Sequence, residues 1–221
     1  MEIKPIAYIS TDFSEKFGIP RQSGRVPELI GEVRLTQEFN NPEAIRGLEE
    51  FSHIWLVFGF SEAEYKEGTM TVRPPRIGGN ARVGIFASRS PYRPNSLGMS
   101  CVKIEKIEQG KITVSGVDIL DGTPIYDIKP YIPYSDCIND AVGSFAEENK
   151  NHTLEVSFPE KLLEIIPKDK QNALVTCLAD DPRPSYQDDE RVYSMAFAEF
   201  DIHFKVVKNK LTVLSVEDKK K

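Results

Sequence analysis

Three cysteines, Cys101, Cys137 and Cys177, are the only thiols among the 221 residues, and they lie far apart. They fit neither a disulfide framework nor the paired spacing of a zinc knuckle. The three histidines, His53, His152 and His203, show no HExxH spacing, so no metal site is expected. The longest dense apolar run, Ile54 to Phe60, falls well short of the roughly 20 residues that span a membrane. The opening MEIKPIAYIS has no basic segment followed by an apolar one, so the reading is a cytoplasmic protein without a secretory leader. Common enzyme fingerprints are also missing. No GxGxxG, GxxxxGK[ST] or GxSxG occurs, which leaves the usual dinucleotide loop, the P-loop and the nucleophile elbow unsupported. A basic excess is lacking too: the net charge is −6 and the pI about 5.3, which taken alone argues against a nucleic-acid partner.

The charge is unevenly spread, however. Between Glu67 and Glu105 there is no acidic residue, while Arg73, Arg76, Arg82, Arg89, Arg93 and Lys103 all fall there. Arginine suits bidentate recognition of phosphate and carboxylate. Several of these arginines sit in proline-stiffened runs, VRPPR and SPYRPN, that lower the entropic cost of presenting a side chain. Two readings stand: a preorganised anion-binding surface, or arginines that cap helices and pair with the carboxylates elsewhere. Phe17 to Gly24, Val117 to Pro124 and Asp180 to Tyr186 are further loops with polar residues on constrained backbone. In a barrel, such loops converge at an open end.

Strand signals dominate the first two-thirds of the chain. Ile3 to Ile9, Ile54 to Phe60, Val83 to Ala87, Val102 to Ile107 and Lys111 to Val117 are short and rich in β-branched or aromatic residues. Gln109-Gly110 reads as a hairpin turn. A single helix is expected from Asn41-Pro42 through Leu48, with an N-cap and a proline at its first position. Strands without regular helical alternation point to a barrel or sandwich, not a doubly wound sheet. Ala146 to His152 reads as a linker, Pro159 to Ala179 as two short helices broken at Pro167 to Lys170, and Met195 to Val216 as a hairpin turning at Lys208 to Lys210. The expected division is a β-barrel main domain at residues 1–145 and a small α+β C-terminal domain at 146–221.

Five segments carry a family resemblance: EKFGIPRQSG, NNPEAIRGLEEFSHIWLVFGF, TVRPPRIGGNARVGIFASRSPYRPNSLGMS, SGVDILDGTPIYDIKPYIPYSD and DDPRPSY. On these residues the chain resembles the TsaA/YaeB-like family of bacterial tRNA methyltransferases. The resemblance implies a mainly β, non-Rossmann β-barrel and S-adenosylmethionine as methyl donor. It implies a homodimer, and as substrate a tRNA anticodon loop bearing N6-threonylcarbamoyladenosine at position 37. It also implies a donor site drawn from Ser23, Gly24, Arg25, Ser61, Glu62, Arg89, Met99, Asp118, Ile119, Leu120 and Asp121. The family often has proline where Ser23 stands and histidine where Ser61 stands; a backbone contact survives either change.

Methyl transfer to a nitrogen held between a purine ring and a carbonyl needs alignment of the reacting atoms and removal of a proton. Asp181 and Tyr186 are the candidates for that catalytic role, although Asp181 can equally well pair with Arg183 and stiffen its loop. Arg73, Arg76, Arg93 and Arg183 are the candidates for the tRNA and its threonyl carboxylate. Tyr92, Tyr131 and Tyr134 can stack a base or pack at the barrel rim. The alternatives are a non-catalytic module that binds S-adenosylmethionine or RNA, and a methyltransferase for a small anionic metabolite.

Overall fold

The computed structural model describes residues 2–74, 81–148, 150–183 and 191–219. Six antiparallel strands close a barrel: β1 (Ala7–Ser10), β2 (Ile30–Leu35), β3 (His53–Gly59), β6 (Leu97–Glu108), β7 (Lys111–Ser115) and β8 (Pro124–Pro130), in the order β1-β2-β7-β6-β3-β8. Two short strands, β4 (Thr71–Val72) and β5 (Val83–Gly84), form a separate ribbon between β3 and β6. Alternation drives closure. In β1, Ala7 and Ile9 are buried while Tyr8 and Ser10 are exposed, and Ile54, Leu56 and Phe58 of β3 point the same way inward. Closing the sheet leaves no unpaired edge.

Several sequence expectations need correction. The segment from Asn41-Pro42 is not an α-helix. Asn41 does cap it, accepting from the Glu43 N–H at 3.0 Å, but it makes a 3-10 turn over Pro42–Ile45 and another over Leu48–Glu50. Gly47, with φ of 83°, separates them, because a left-handed residue cannot continue a helix. Val83 to Ala87 is a strand only at Val83–Gly84, and Ile85–Ala87 turns into a 3-10 helix. Strands β2 and β8 escaped the sequence reading. β8 begins and ends on proline, which is tolerated at a strand terminus.

The polar stretch after the barrel includes a helical turn, α2 (Phe145–Glu148), which follows α1 (Pro133–Asp136). A four-stranded sheet, β10-β11-β12-β9, is built from β9 (Glu155–Ser157), β10 (Tyr193–Phe197), β11 (Phe200–Val207) and β12 (Lys210–Asp218). The expected C-terminal hairpin is thus preceded by a second one, turning at Ala198 with φ of 51°. Helices α3 (Glu160–Leu163) and α4 (Lys168–Ala179) are separated by Glu164 to Pro167, so Pro167 caps α4 and Lys168 to Lys170 belong to the helix.

The two sheets share one continuous apolar cluster. Phe13 of the barrel meets Phe197 edge-on at 5.7 Å, and Phe17 stacks on Tyr193 and Phe204. The Ala198 N–H donates to the Asp12 carbonyl at 2.7 Å. The segment 11–25 is therefore clamped between barrel and C-terminal sheet, which fixes one wall of the site described next.

Candidate active site

At one end of the barrel β1, β3 and β7 finish and β6 and β8 begin. The loops there enclose a cavity of about 530 Å³. Its apolar lining comes from Ile19, Val57, Phe58, Phe60 and Leu97, and its polar lining includes Gln22, Ser61, Glu62, Arg89, Ser100 and Asp118. Gly98 is required on this wall, since a Cβ there would meet the Phe58 ring at 2.4 Å.

Asp118 is the electrostatic centre of the cavity. It follows Gly116, whose carbonyl accepts from the Gly24 N–H at 2.8 Å, so the 19–25 loop and the 116–121 loop meet backbone to backbone. The Asp118 carboxylate accepts from the buried Ser100 hydroxyl at 2.5 Å and from the Ser23 backbone. Burial pushes its carboxyl up to about 6, against the pull of those hydrogen bonds and of the Arg89 charge. Arg89 donates through Nη1 to Gln22 Oε1 at 2.5 Å, and Gln22 Nε2 donates to the Arg21 carbonyl at 2.5 Å.

Seven of the residues expected at the donor site line this cavity: Ser61, Glu62, Arg89, Met99, Asp118, Ile119 and Leu120. Glu62 pairs with Lys16 at 3.5 Å, and Met99 is half exposed. Ser23 and Gly24 contribute through backbone bonds to Asp118 and Gly116. Arg25 and Asp121 are not in the lining. Asp121 accepts from Ser10 Oγ at 3.0 Å and from the Thr11 N–H at 2.9 Å, and Arg25 is bonded to Asp180 at 2.6 Å.

A second, larger groove of about 1310 Å³ adjoins the first cavity and shares Arg21, Gln22, Ser88, Arg89, Pro91 and Tyr92 with it. Its cations are Arg21, Arg25, Arg73, Arg89 and Lys150, and no aspartate or glutamate lines it among the described residues. Arg73 thus lies where a polyanion would be met. Arg93 lines the smaller cavity instead, with its Nη1 donating to the Ser88 carbonyl at 3.2 Å.

Asp181 and Arg183 occupy a buried junction. Asp181 adopts a left-handed backbone with φ of 55°, which aspartate tolerates better than most residues. Its carboxylate accepts from Arg183 Nε at 2.9 Å and meets His152 Nε2 at 3.2 Å. Burial works to raise the Asp181 carboxyl, but the Arg183 and His152 hydrogen bonds hold it below the usual carboxylate range. Arg21 reaches the Asp181 and Arg183 carbonyls, so the junction is tied to the 19–25 loop. Arg76 and Tyr186 lie outside the described residues. Tyr131 packs against Trp55 and His53, whereas Tyr92 stands half exposed on the wall common to both cavities. The sequence reading missed Ser100 and Gln22. The polar run Arg21-Gln22-Ser23 was the only local signal for the latter.

The comparisons agree with this architecture. Residues 8–137 match the tRNA-methyltransferase O N-terminal domain, and residues 151–219 match the TrmO C-terminal domain. The tRNA (adenine(37)-N6)-methyltransferase of Escherichia coli is 36% identical, covering 98% of this chain and 97% of that protein. A putative S-adenosylmethionine-dependent methyltransferase, RcsF, of Pseudomonas aeruginosa is 40% identical over 91% of each chain. A crystal structure of TrmO from P. aeruginosa superposes with a TM-score of 0.83 at 34% identity, over 99% of this chain and 97% of that one. With both family domains matched in order on one closed barrel and its C-terminal sheet, the chain belongs to the tRNA-methyltransferase O family.

Proposed function

We propose that this chain is an S-adenosylmethionine-dependent tRNA methyltransferase that methylates N6 of threonylcarbamoyladenosine at position 37. The observation that carries this reading is the shared wall. A small cavity with a buried carboxylate opens, through Gln22, Arg89 and Tyr92, onto a groove whose charged residues, among those described, are all cations.

The cavity residues fit the donor. A volume of about 530 Å³ lies in the range of small-molecule sites. Its largely apolar walls suit an adenosine, and Asp118 supplies negative charge in a low-dielectric setting for a cationic ligand. Bound there, S-adenosylmethionine supplies an electrophilic methyl group on a sulfonium. In this reading Ser61, Glu62, Arg89, Met99 and the 118–120 backbone hold the donor. Ser23, Gly24, Arg25 and Asp121 hold the walls through the bonds described above.

Arg73, in the groove, meets backbone phosphates, and Arg76 is assigned the same role. Arg93 lies on the donor side. Arg183, held by Asp181, is assigned to the acceptor side with the threonyl carboxylate. Asp181 and Tyr186 are the residues we assign to holding N6 of the acceptor or taking up its proton, Asp181 being itself oriented by Arg183 and His152. We take the working form to be a cytoplasmic homodimer, with domains at 1–145 and 146–221 and no metal requirement.

The test is label transfer from S-adenosylmethionine to tRNA. Label recovered in tRNAs with adenosine at position 37, and not in those without it, supports the proposal. Donor binding with no label in any tRNA contradicts it in favour of a non-catalytic module.

A further inference from the structure

We propose that Phe86 is a stacking platform for a nucleobase flanking the reacting adenosine, so that the groove reads the anticodon loop through a base face as well as through phosphates. This inference rests on the tRNA reading above. Phe86 sits at the centre of the 3-10 turn Ile85–Ala87 and is 79% exposed, whereas its neighbour Ile85 is buried. The turn is held at both ends: the Ile85 N–H donates to the Met70 carbonyl at 3.1 Å, and Ser88 Oγ donates to the Ile85 carbonyl at 3.1 Å. An aromatic ring is therefore presented to solvent on fixed backbone, in the lining of the cationic groove.

The company Phe86 keeps decides among occupants. Arg21, Arg25, Arg73, Arg89 and Lys150 line the same groove, and no carboxylate does among the described residues. Arg25 is already paired with Asp180 and Lys150 with Glu147, but a purely apolar partner would desolvate Arg73 and Arg89 while supplying no anion, and a simple phosphate would leave the ring in water. Single-stranded nucleic acid offers flat aromatic faces and phosphates at the spacing of one nucleotide, and aromatic side chains are its usual stacking partners. Tyr92, on the wall shared with the donor cavity, lies nearer the chemistry. Phe86, absent from the smaller cavity, falls to a neighbouring base.

The experiment compares wild type, Phe86→Ala and Phe86→Trp at saturating donor with varied tRNA. Loss of one stacked base predicts that Phe86→Ala raises KM for tRNA roughly 5- to 150-fold, with donor affinity unchanged, and that Phe86→Trp restores it. A stem-loop carrying 2-aminopurine beside position 37 should show fluorescence quenching on wild type and Phe86→Trp, and lose it on Phe86→Ala. An unchanged KM and unchanged quenching in Phe86→Ala overturn the inference. So does a fall to half the sedimenting mass in Phe86→Ala, which would make Phe86 a contact between copies of the chain. RNA binding and quenching without methylation by wild type would overturn the enzymatic reading and leave the stacking role standing. No RNA binding at all would overturn both.

Discussion

Arg89 donates to Gln22 Oε1 at 2.5 Å across the wall that separates the small cavity from the cationic groove. Gln22 thereby sets where the guanidinium stands, with its own amide anchored on the Arg21 carbonyl. Removing a hydrogen bond to a charged group frees that charge to reorient. Gln22→Ala should weaken donor binding about tenfold. Gln22→Glu, which keeps an acceptor for Arg89, should lose less. Calorimetric titration with S-adenosylmethionine checks both, and wild-type affinity in Gln22→Ala would remove Gln22 from this role.

Asp118 predicts a pH dependence with a defined sign. Its folded-state carboxyl is raised to about 6, so the folded chain keeps that proton after the unfolded chain has lost it. The associated stability is full below about pH 4, declines as pH rises towards 6, and then levels off, a change of about 3 kcal/mol. Asp118→Asn should flatten that part of the urea-unfolding profile. Donor affinity should run the opposite way. It should weaken below about pH 6, where the protonated carboxyl no longer attracts a cation, and this weakening should be absent in Asp118→Asn.

At the junction of barrel and C-terminal sheet, Asp181 and Arg183 form a buried pair, both less than a tenth exposed. Removing one partner strands the other charge. Arg183→Ala should therefore lower unfolding stability by about 3–5 kcal/mol. Asp181, held below its usual range, contributes stability that is present near neutral pH and lost as pH falls through its folded pKa. A double-mutant cycle with Asp181→Asn should return a strong coupling, and additive losses would argue that the two side chains act independently.

How much of this was legible in the sequence depended on distance along the chain. The β-branched and aromatic run Ile54 to Phe60 announced a strand, and Gln109-Gly110 announced the hairpin between β6 and β7. Residues whose role is set by a remote partner gave no such signal. Gln22 meets Arg89 67 positions away, and Ser100 meets Asp118 18 positions away. Neither pairing leaves a local pattern. Phe86 was hidden differently: its β-rich neighbourhood, Val83 to Ala87, read as a strand, while the chain turns there into a 3-10 helix and puts the ring outside. The acidic overall balance misled for a similar reason. The net charge of −6 averages over a groove whose charged residues, among those described, are all cations.

That groove predicts salt dependence. If Arg73 meets a backbone phosphate, tRNA affinity should fall steeply with salt, and Arg73→Ala should make the logarithmic slope shallower by about one ion. The variant should bind S-adenosylmethionine as wild type does, because Arg73 lines only the larger groove. An unchanged slope in filter binding would place the phosphates elsewhere.

The most direct test is mass analysis of nucleosides digested from tRNA after incubation with the protein and S-adenosylmethionine. Matched tRNAs are compared with and without the threonylcarbamoyl group at position 37. The account predicts one added methyl on threonylcarbamoyladenosine and none on the unmodified adenosine. Equal methylation of both, or methyl incorporation at another nucleoside, would contradict it.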